Sequence, residues 1–257
     1  MTGSGITLQA LSGLAARAGW EQSAVVALAA DEPQPELSGL SPAMVHPLRF
    51  GRPPLDFPLP GMSDVMPYPS TPFSALGPAQ LAAYRRAWRD HLSRVLELFC
   101  PNVVHVHHIW LVAALLKDLD PRLRVVNHCH GTGLRQMALC PELAVEVRAG
   151  CGRNDRFAVL HRQQAEQLAR ELDLDPARGQ TRIVGAGYRD ELFFAGGRPA
   201  AKHSSSRLVY VGKLSRAKGL PWLLDAVQRL SHDLPELELH VAGEGGGSEG
   251  AEIEQRL

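Results

Sequence analysis

The sequence predicts an α/β fold with parallel sheets, arranged as two domains of which the second is incomplete. Short apolar, β-branched runs alternate with longer amphipathic stretches, which is the pattern of βα units. Several of these runs are apolar throughout, as strands covered by helices on both faces must be. A small, polar stretch without periodicity divides the chain at 195–206. At 257 residues and 45% hydrophobic content, the chain has the length of one large domain or two smaller ones and can bury a hydrophobic core.

The strands and the two clearest helices follow from hydrophobic spacing. Segments with apolar runs of strand length are at 24–29, 103–107, 124–128, 156–160, 182–185, 208–211 and 237–242. Apolar residues recur every three or four positions over 79–99 and again over 220–230, which predicts two amphipathic helices.

A proline-rich segment separates the first predicted strand from the first long helix. Residues 33–78 hold 12 of the 19 prolines, so we predict one long loop without a regular helix or central strand. The segment is too rich in Met, Phe and Tyr for a free linker. We therefore expect it to pack near a site.

We predict a first domain over 1–194, a linker over 195–206 and the start of a second domain over 207–257. The chain looks cut at both ends. No strand precedes the glycines at its start, and 51 residues after 206 fall short of the about 70–80 that usually support one core.

Composition excludes several functional classes. With 27 Lys+Arg against 27 Asp+Glu, the net charge of +0 argues against a nucleic-acid partner. No apolar run approaches the about 20 residues that cross a bilayer, so we expect no transmembrane segment. The first residues lack the basic and apolar stretches of a secretory signal, and the four cysteines form no disulfide pattern. We therefore expect a cytoplasmic protein.

The stretch that points most clearly to chemistry is Gly212-Lys-Leu-Ser-Arg-Ala-Lys-Gly219, a turn between a predicted strand and a predicted helix. Backbone N–H groups at a helix start attract anions, and Lys213 and Lys218 add positive charge. The alternative is an ordinary turn with solvated lysines. A second glycine turn, Val241-Ala-Gly-Glu-Gly245, follows the next strand and favours a phosphate site.

Together these motifs resemble the nucleotide-sugar domain of the family-4 glycosyltransferases. The resemblance extends to the first domain, where matching motifs occur in the family's order. They are Gly3-Ser-Gly5 with the helix after it, the strand with His105-Val-His107-His108, the strand end His130-Gly131, and Gly185-Ala-Gly187-Tyr188. These enzymes have the GT-B architecture, with two Rossmann-like domains, and transfer sugars with retained anomeric configuration.

The resemblance implies roles for particular residues. Lys213 and Lys218 match the basic pair that binds the donor diphosphate, and His130 matches a histidine near the donor sugar; these are the implied catalytic residues. The implied donor-binding residues are Gly3, Gly5, Gly212, Gly243, Glu244 and Gly245. The family more often has Arg at position 213. Its acidic motif, two Glu separated by seven residues, lies beyond the end of this sequence, and Glu244 and Glu252 match that spacing only by number.

The implied activity is transfer of a hexosyl unit from a nucleotide-diphosphate sugar to an acceptor hydroxyl, in polysaccharide biosynthesis, with no cofactor besides the donor. The acceptor would be a sugar, a lipid-linked molecule or a small molecule, which leaves room for peripheral membrane contact. His107, His108 and Trp110 could line the acceptor side, and core packing is an equal alternative for Trp110. The chain as given could also be inactive.

Three other interpretations stay open. His105, His107, His128 and His130 occupy alternate positions of two strands and could form a four-nitrogen metal site of a hydrolase, although we assign no metal. The run Gly245 to Gly250 fits, weakly, the dinucleotide fingerprint of a nicotinamide oxidoreductase. A pseudo-enzyme that binds a partner without turnover is the non-enzymatic alternative.

Overall fold

The computed structural model describes residues 3–63, 66, 68–194 and 206–257, and the chain divides into two compact units. Unit 1 is Met1–Asp190 and unit 2 is Glu191–Leu257. The predicted fold class is confirmed, since helices alternate with strands and each ladder between described strands is parallel. Apart from Ser206, the predicted linker at 195–206 lies outside the described residues and stays a prediction.

Unit 1 carries most of the secondary structure. Its helices are α1 (Gly3–Arg17), α2 (Pro78–Phe99), α3 (Leu111–Leu119), α4 (Thr132–Leu139), α5 (Pro141–Cys151) and α6 (Arg162–Leu172). Its strands are β1 (Ala24–Ala29), β2 (Val45–Phe50), β3 (Pro60–Gly61), β4 (Thr71–Pro72), β5 (Val104–His107), β6 (Val125–His128), β7 (Arg156–Val159) and β8 (Thr181–Ile183). The predicted strands of this unit are all present, with ends within two residues of the prediction.

The main sheet of unit 1 has the strand order β5-β6-β7-β8. Its apolar residues Val125, Phe157 and Val159 are completely buried, which explains why these runs contain so few polar residues. Helices α3 and α5 pack closely against each other. A Cβ on Gly150 would lie 2.5 Å from the Cβ of Ala114, so the close approach of these two helices requires glycine.

The prediction of one long loop over 33–78 was wrong, because the segment contains strand β2. Strand β2 pairs in parallel with β1 along its whole length, with Pro47 opposite Val26. Within the described residues, β1 is the one strand that neighbours β2. Alternate N–H groups of β2 therefore point away from β1 and make no ladder hydrogen bond, and proline, which has no N–H, is tolerated at such a position. Short elements, among them β3 and β4, fill much of the rest.

The segment packs into the core of unit 1 through its aromatic residues, as its composition predicts. Phe50, Phe57 and Phe73 are buried, and the ring of Phe73 lies edge-on to Trp110 with centroids 5.3 Å apart. Because Trp110 closely follows β5, the proline-rich segment is anchored beside the end of that strand.

Unit 2 contains a two-stranded parallel sheet of β9 (Arg207–Val211) and β10 (Glu238–Ala242), with helices α7 (Leu220–Leu230) and α8 (Gly247–Glu254). Leu214, Leu220 and Ile253 form its buried cluster. Both predicted strands and the predicted helix at 220–230 are confirmed. Among the described residues of the whole chain, no helix combines the length and apolarity needed to span a membrane.

Candidate functional site

In unit 2, the turns that follow β9 and β10 lie side by side. The N–H of Gly212 donates to the carbonyl of Ala242 at 3.0 Å, and the N–H of Leu214 donates to the carbonyl of Glu244 at 3.1 Å. A Cβ on Gly243 would lie 1.8 Å from the carbonyl oxygen of Gly212, so no larger residue fits this contact. The structure therefore brings together the two glycine turns that the sequence singled out.

Residues 212–219, which we call the lysine turn, end in a single turn of 3-10 helix at Arg216–Lys218. Gly219 follows with a φ of 80°, a conformation that favours glycine, and α7 begins at Leu220. The ammonium groups of Lys213 and Lys218 are exposed and have no hydrogen-bond or ion-pair partner within the described residues. The lysine turn thus carries two unneutralised cations and leads directly into the positive end of α7.

Arg216 lies between these lysines and is already neutralised. Its backbone N–H donates to Oε1 of Glu249 at 3.0 Å, and its guanidinium donates to Oε1 of Glu252 at the same distance. Both carboxylates belong to α8, so this pair of contacts ties the lysine turn to α8. Because Arg216 holds Glu252, the side chain of Glu252 is engaged within unit 2.

In unit 1, five imidazoles gather where β5 and β6 end; we call them the histidine cluster. Its members are His105, His107, His108, His128 and His130. His107 pairs with His128 in the strand register, and the rings of His128 and His130 are stacked with centroids 4.5 Å apart. Nδ1 of His107 lies 2.9 Å from Nε2 of His130, a distance at which one of these nitrogens donates to the other.

A family model for the glycosyl transferase 4-like domain matches residues 2–187. The chain belongs to this family. It matches no curated protein. The matched range spans strands β1–β8 and helices α1–α6, so that unit 1 is the glycosyl transferase 4-like domain. Membership makes the protein a glycosyltransferase whose partners are a sugar donor and an acceptor, and it favours this activity over the hydrolase and oxidoreductase alternatives.

Burial lowers the pKa of every imidazole in the histidine cluster, so these five rings are uncharged at neutral pH. The pKa of His107 and of His130 falls to about 3, mainly through burial and to a smaller extent through repulsion from neighbouring imidazoles. Burial also lowers the pKa of His108 to about 4. The cluster therefore offers hydrogen-bond donors and acceptors, or lone pairs, without positive charge.

His108 has an unusual backbone for a residue with a side chain. Its φ is 71°, and its Nδ1 lies 2.9 Å from Oγ1 of Thr132, in the first turn of α4. Such conformations cost energy and are common at binding sites. Our sequence analysis missed Thr132. Its position directly after His130-Gly131 indicates that its hydroxyl lies near the histidines.

Two predicted site regions differ from expectation in their local structure. Gly3 and Gly5 lie within α1 rather than in a loop before it, because the helix-forming run from Ile6 onward outweighs the about 1 kcal/mol that a glycine costs in a helix. Trp110 is 3% exposed and packs against Phe73, so the structure places it in the core. His107 and His108 are partly exposed beside it in the chain.

Proposed function

We propose that this glycosyltransferase transfers a hexosyl unit from a nucleotide-diphosphate sugar to an acceptor hydroxyl, with retention of configuration. The observation that carries the proposal is the pair of unneutralised ammonium groups of Lys213 and Lys218 beside two contacting glycine turns. The lysine turn lies outside the matched range 2–187, so its role rests on its own geometry and sequence.

Departure of a nucleoside diphosphate leaves negative charge that the protein must stabilise. Fixed cations and backbone N–H groups aimed at that charge are the usual means, and they act without a protein nucleophile. In the lysine turn, Arg216 is occupied by Glu249 and Glu252, while the two lysines are available. We assign to Lys213 and Lys218 the binding of the diphosphate, and to Gly212, Gly243, Glu244 and Gly245 the shape of the donor pocket.

In unit 1 we assign His130 to the donor sugar and His107 and His108 to the acceptor side. One ring nitrogen of each of these neutral imidazoles contacts a neighbouring side chain, and the other suits this role because it can donate a hydrogen bond to a sugar hydroxyl or accept one from it. Gly3 and Gly5, now within α1, keep their proposed place near the donor phosphate, where a helix start also favours an anion.

We further propose that the reaction needs no cofactor besides the donor. We place the reaction in the cytoplasm, in polysaccharide biosynthesis, with a sugar, lipid-linked or small-molecule acceptor and with peripheral contact to a membrane where the acceptor is lipid-linked.

The test is a thermal-shift screen of the chain against nucleoside diphosphates and nucleotide-diphosphate sugars. A donor present at 100 times its dissociation constant stabilises the protein by about 2.7 kcal/mol. Any donor that stabilises the chain is then incubated with candidate acceptors, and NMR of the product gives the anomeric configuration. A retained configuration supports the proposal.

Other outcomes separate the alternatives. Inversion at the anomeric carbon contradicts the retaining mechanism. Binding of a donor without transfer to any acceptor favours the binding module without turnover. If no nucleotide stabilises the chain, the assignment of the lysine turn is wrong.

A further inference from the structure

Three members of the histidine cluster have the arrangement of metal ligands. His107, His128 and His130 each present one ring nitrogen, and these three nitrogens all lie within 4.8 Å of one another. His107 and His128 lie at the ends of adjacent strands, opposite each other in the register, and His130 follows the end of β6 by two residues. The fixed spacing of a parallel sheet therefore maintains the approach of the His107 and His128 rings.

The distances suit a single small cation. Two imidazole nitrogens bound at about 2.0–2.1 Å to one Zn²⁺, at angles of about 90–110°, lie about 2.9–3.4 Å apart. Nδ1 of His107 and Nε2 of His130 are 2.9 Å apart through a hydrogen bond, so a cation binds both only after the proton between them has moved to another ring nitrogen. The three ligand atoms lie within 4.8 Å of one another, and binding also requires the His128 ring to turn about χ2, a torsion that is broad for histidine.

Within the trio, Nδ1 of His107 and Nε2 of His130 are hydrogen-bonded to each other, whereas the His128 ring makes no hydrogen bond to any described residue. His128 is 9% exposed, and neither of its ring nitrogens has a hydrogen-bond partner within the described residues. Neither ring nitrogen of His128 is among the fully buried polar atoms that lack a partner, so each keeps contact with solvent and is open to a ligand. A cation between the three rings would bind one of them.

We propose that His107, His128 and His130 bind a transition-metal dication of the Zn²⁺ type. Imidazole nitrogens suit Zn²⁺, Ni²⁺ and Cu²⁺, whereas Mg²⁺ and Ca²⁺ require the oxygen ligands that the trio lacks. Three protein nitrogens leave one position of a tetrahedral ion open for water or for an oxygen of a bound molecule. The site lies in unit 1 and uses one ring nitrogen each of His107 and His130, which leaves the other nitrogen of each ring for the sugar contacts proposed above.

The test uses the untagged full chain, stripped with a chelator and then dialysed. Titration with Zn²⁺ by calorimetry gives stoichiometry and affinity, and titration with Co²⁺ gives the visible absorption of the coordinated ion. We expect one ion per chain. In His107→Gln and in His128→Gln, loss of a ligand lowers the affinity by at least about 100-fold, beyond the 10- to 100-fold that loss of a supporting contact costs.

The matched control is His232→Gln, which removes an exposed imidazole of unit 2 and leaves the affinity unchanged. If His128→Gln does not fold, the partly exposed His107→Gln decides the question. Millimolar or absent binding, or equal affinity in the wild type and in His107→Gln, overturns the proposal. Nucleotide binding measured on the same samples is expected to be the same with and without the metal, so failure of this site is distinguishable from failure of the proposed function.

Discussion

Lys213 and Lys218 differ from Arg216, the third cation of the same turn, in having no carboxylate partner within the described residues. A surface cation without a partner is fully solvated and keeps its charge for a ligand. Substitution of either lysine therefore tests the proposed donor site directly.

Lys218→Ala lowers the catalytic efficiency of transfer by roughly 10- to 150-fold. One charge-assisted hydrogen bond contributes about 1.5–3 kcal/mol, and its loss raises the barrier by that amount. The measurement is kcat/KM with the donor found in the screen. Arg229→Ala, which removes an exposed cation from the last turn of α7, is the control and keeps full activity. Full activity in Lys218→Ala refutes the assignment of Lys218.

The histidine cluster makes stability depend on pH. The pKa of His107 is about 3 in the folded chain and 6.5 by default, so below pH 6.5 the unfolded chain takes up a proton that the folded chain does not. The free energy of unfolding is therefore highest, as far as His107 affects it, above pH 6.5, and it decreases as the pH falls below that value. For His107 alone the loss by pH 5 is at most about 2 kcal/mol.

Urea unfolding at pH 7 and pH 5, with a chelator present, measures this effect. His107→Gln is expected to reduce the difference between the two pH values, and His232→Gln to leave it unchanged. Equal free energies of unfolding at both pH values in the wild type would show that the imidazoles are not desolvated.

At the scale of secondary-structure elements, hydrophobic pattern located the strands well, because each buried run such as Val125–His128 contrasts with its polar flanks. Strand β2 was missed because a proline argues against a strand, and the sequence does not show that β2 has one neighbouring strand within the described residues. The start of α1 was also missed. Two glycines by themselves indicate a loop, and the helix propensity of the residues after them was not taken into account.

The packing of α3 against α5 gives a prediction for one glycine. Gly150→Ala places a Cβ 2.5 Å from the Cβ of Ala114 and 2.6 Å from its backbone oxygen, so the two helices must move apart. We expect a loss of about 1–3 kcal/mol in the free energy of unfolding. Chemical denaturation measures it.

Gly3→Ala in α1 is the matched control, since a Cβ there meets no atom within 4 Å. Alanine is the better helix former, so this variant is expected to be as stable as the wild type or slightly more stable. An equal effect of both substitutions would contradict the close packing of α3 and α5.

At the scale of the whole molecule, sequence reasoning reached the fold class, the histidine cluster and the neighbouring glycine turns, because parallel strands bring their carboxyl ends to one edge. It did not reach the neutralisation of Arg216 by α8, since that contact joins residues more than 30 positions apart through side-chain geometry. It also did not reach the burial of Trp110, which depends on a proline-rich segment that folds against it.

The most direct test of the central claim is calorimetric titration of the full chain with the nucleoside diphosphate of the donor. We compare the wild type, the double variant Lys213→Ala/Lys218→Ala and the control Arg229→Ala. The account predicts that the control binds like the wild type, whereas the double variant binds at least about 100-fold more weakly, since each of the two lost charge-assisted hydrogen bonds contributes about 1.5–3 kcal/mol. Wild-type affinity in the double variant would contradict it.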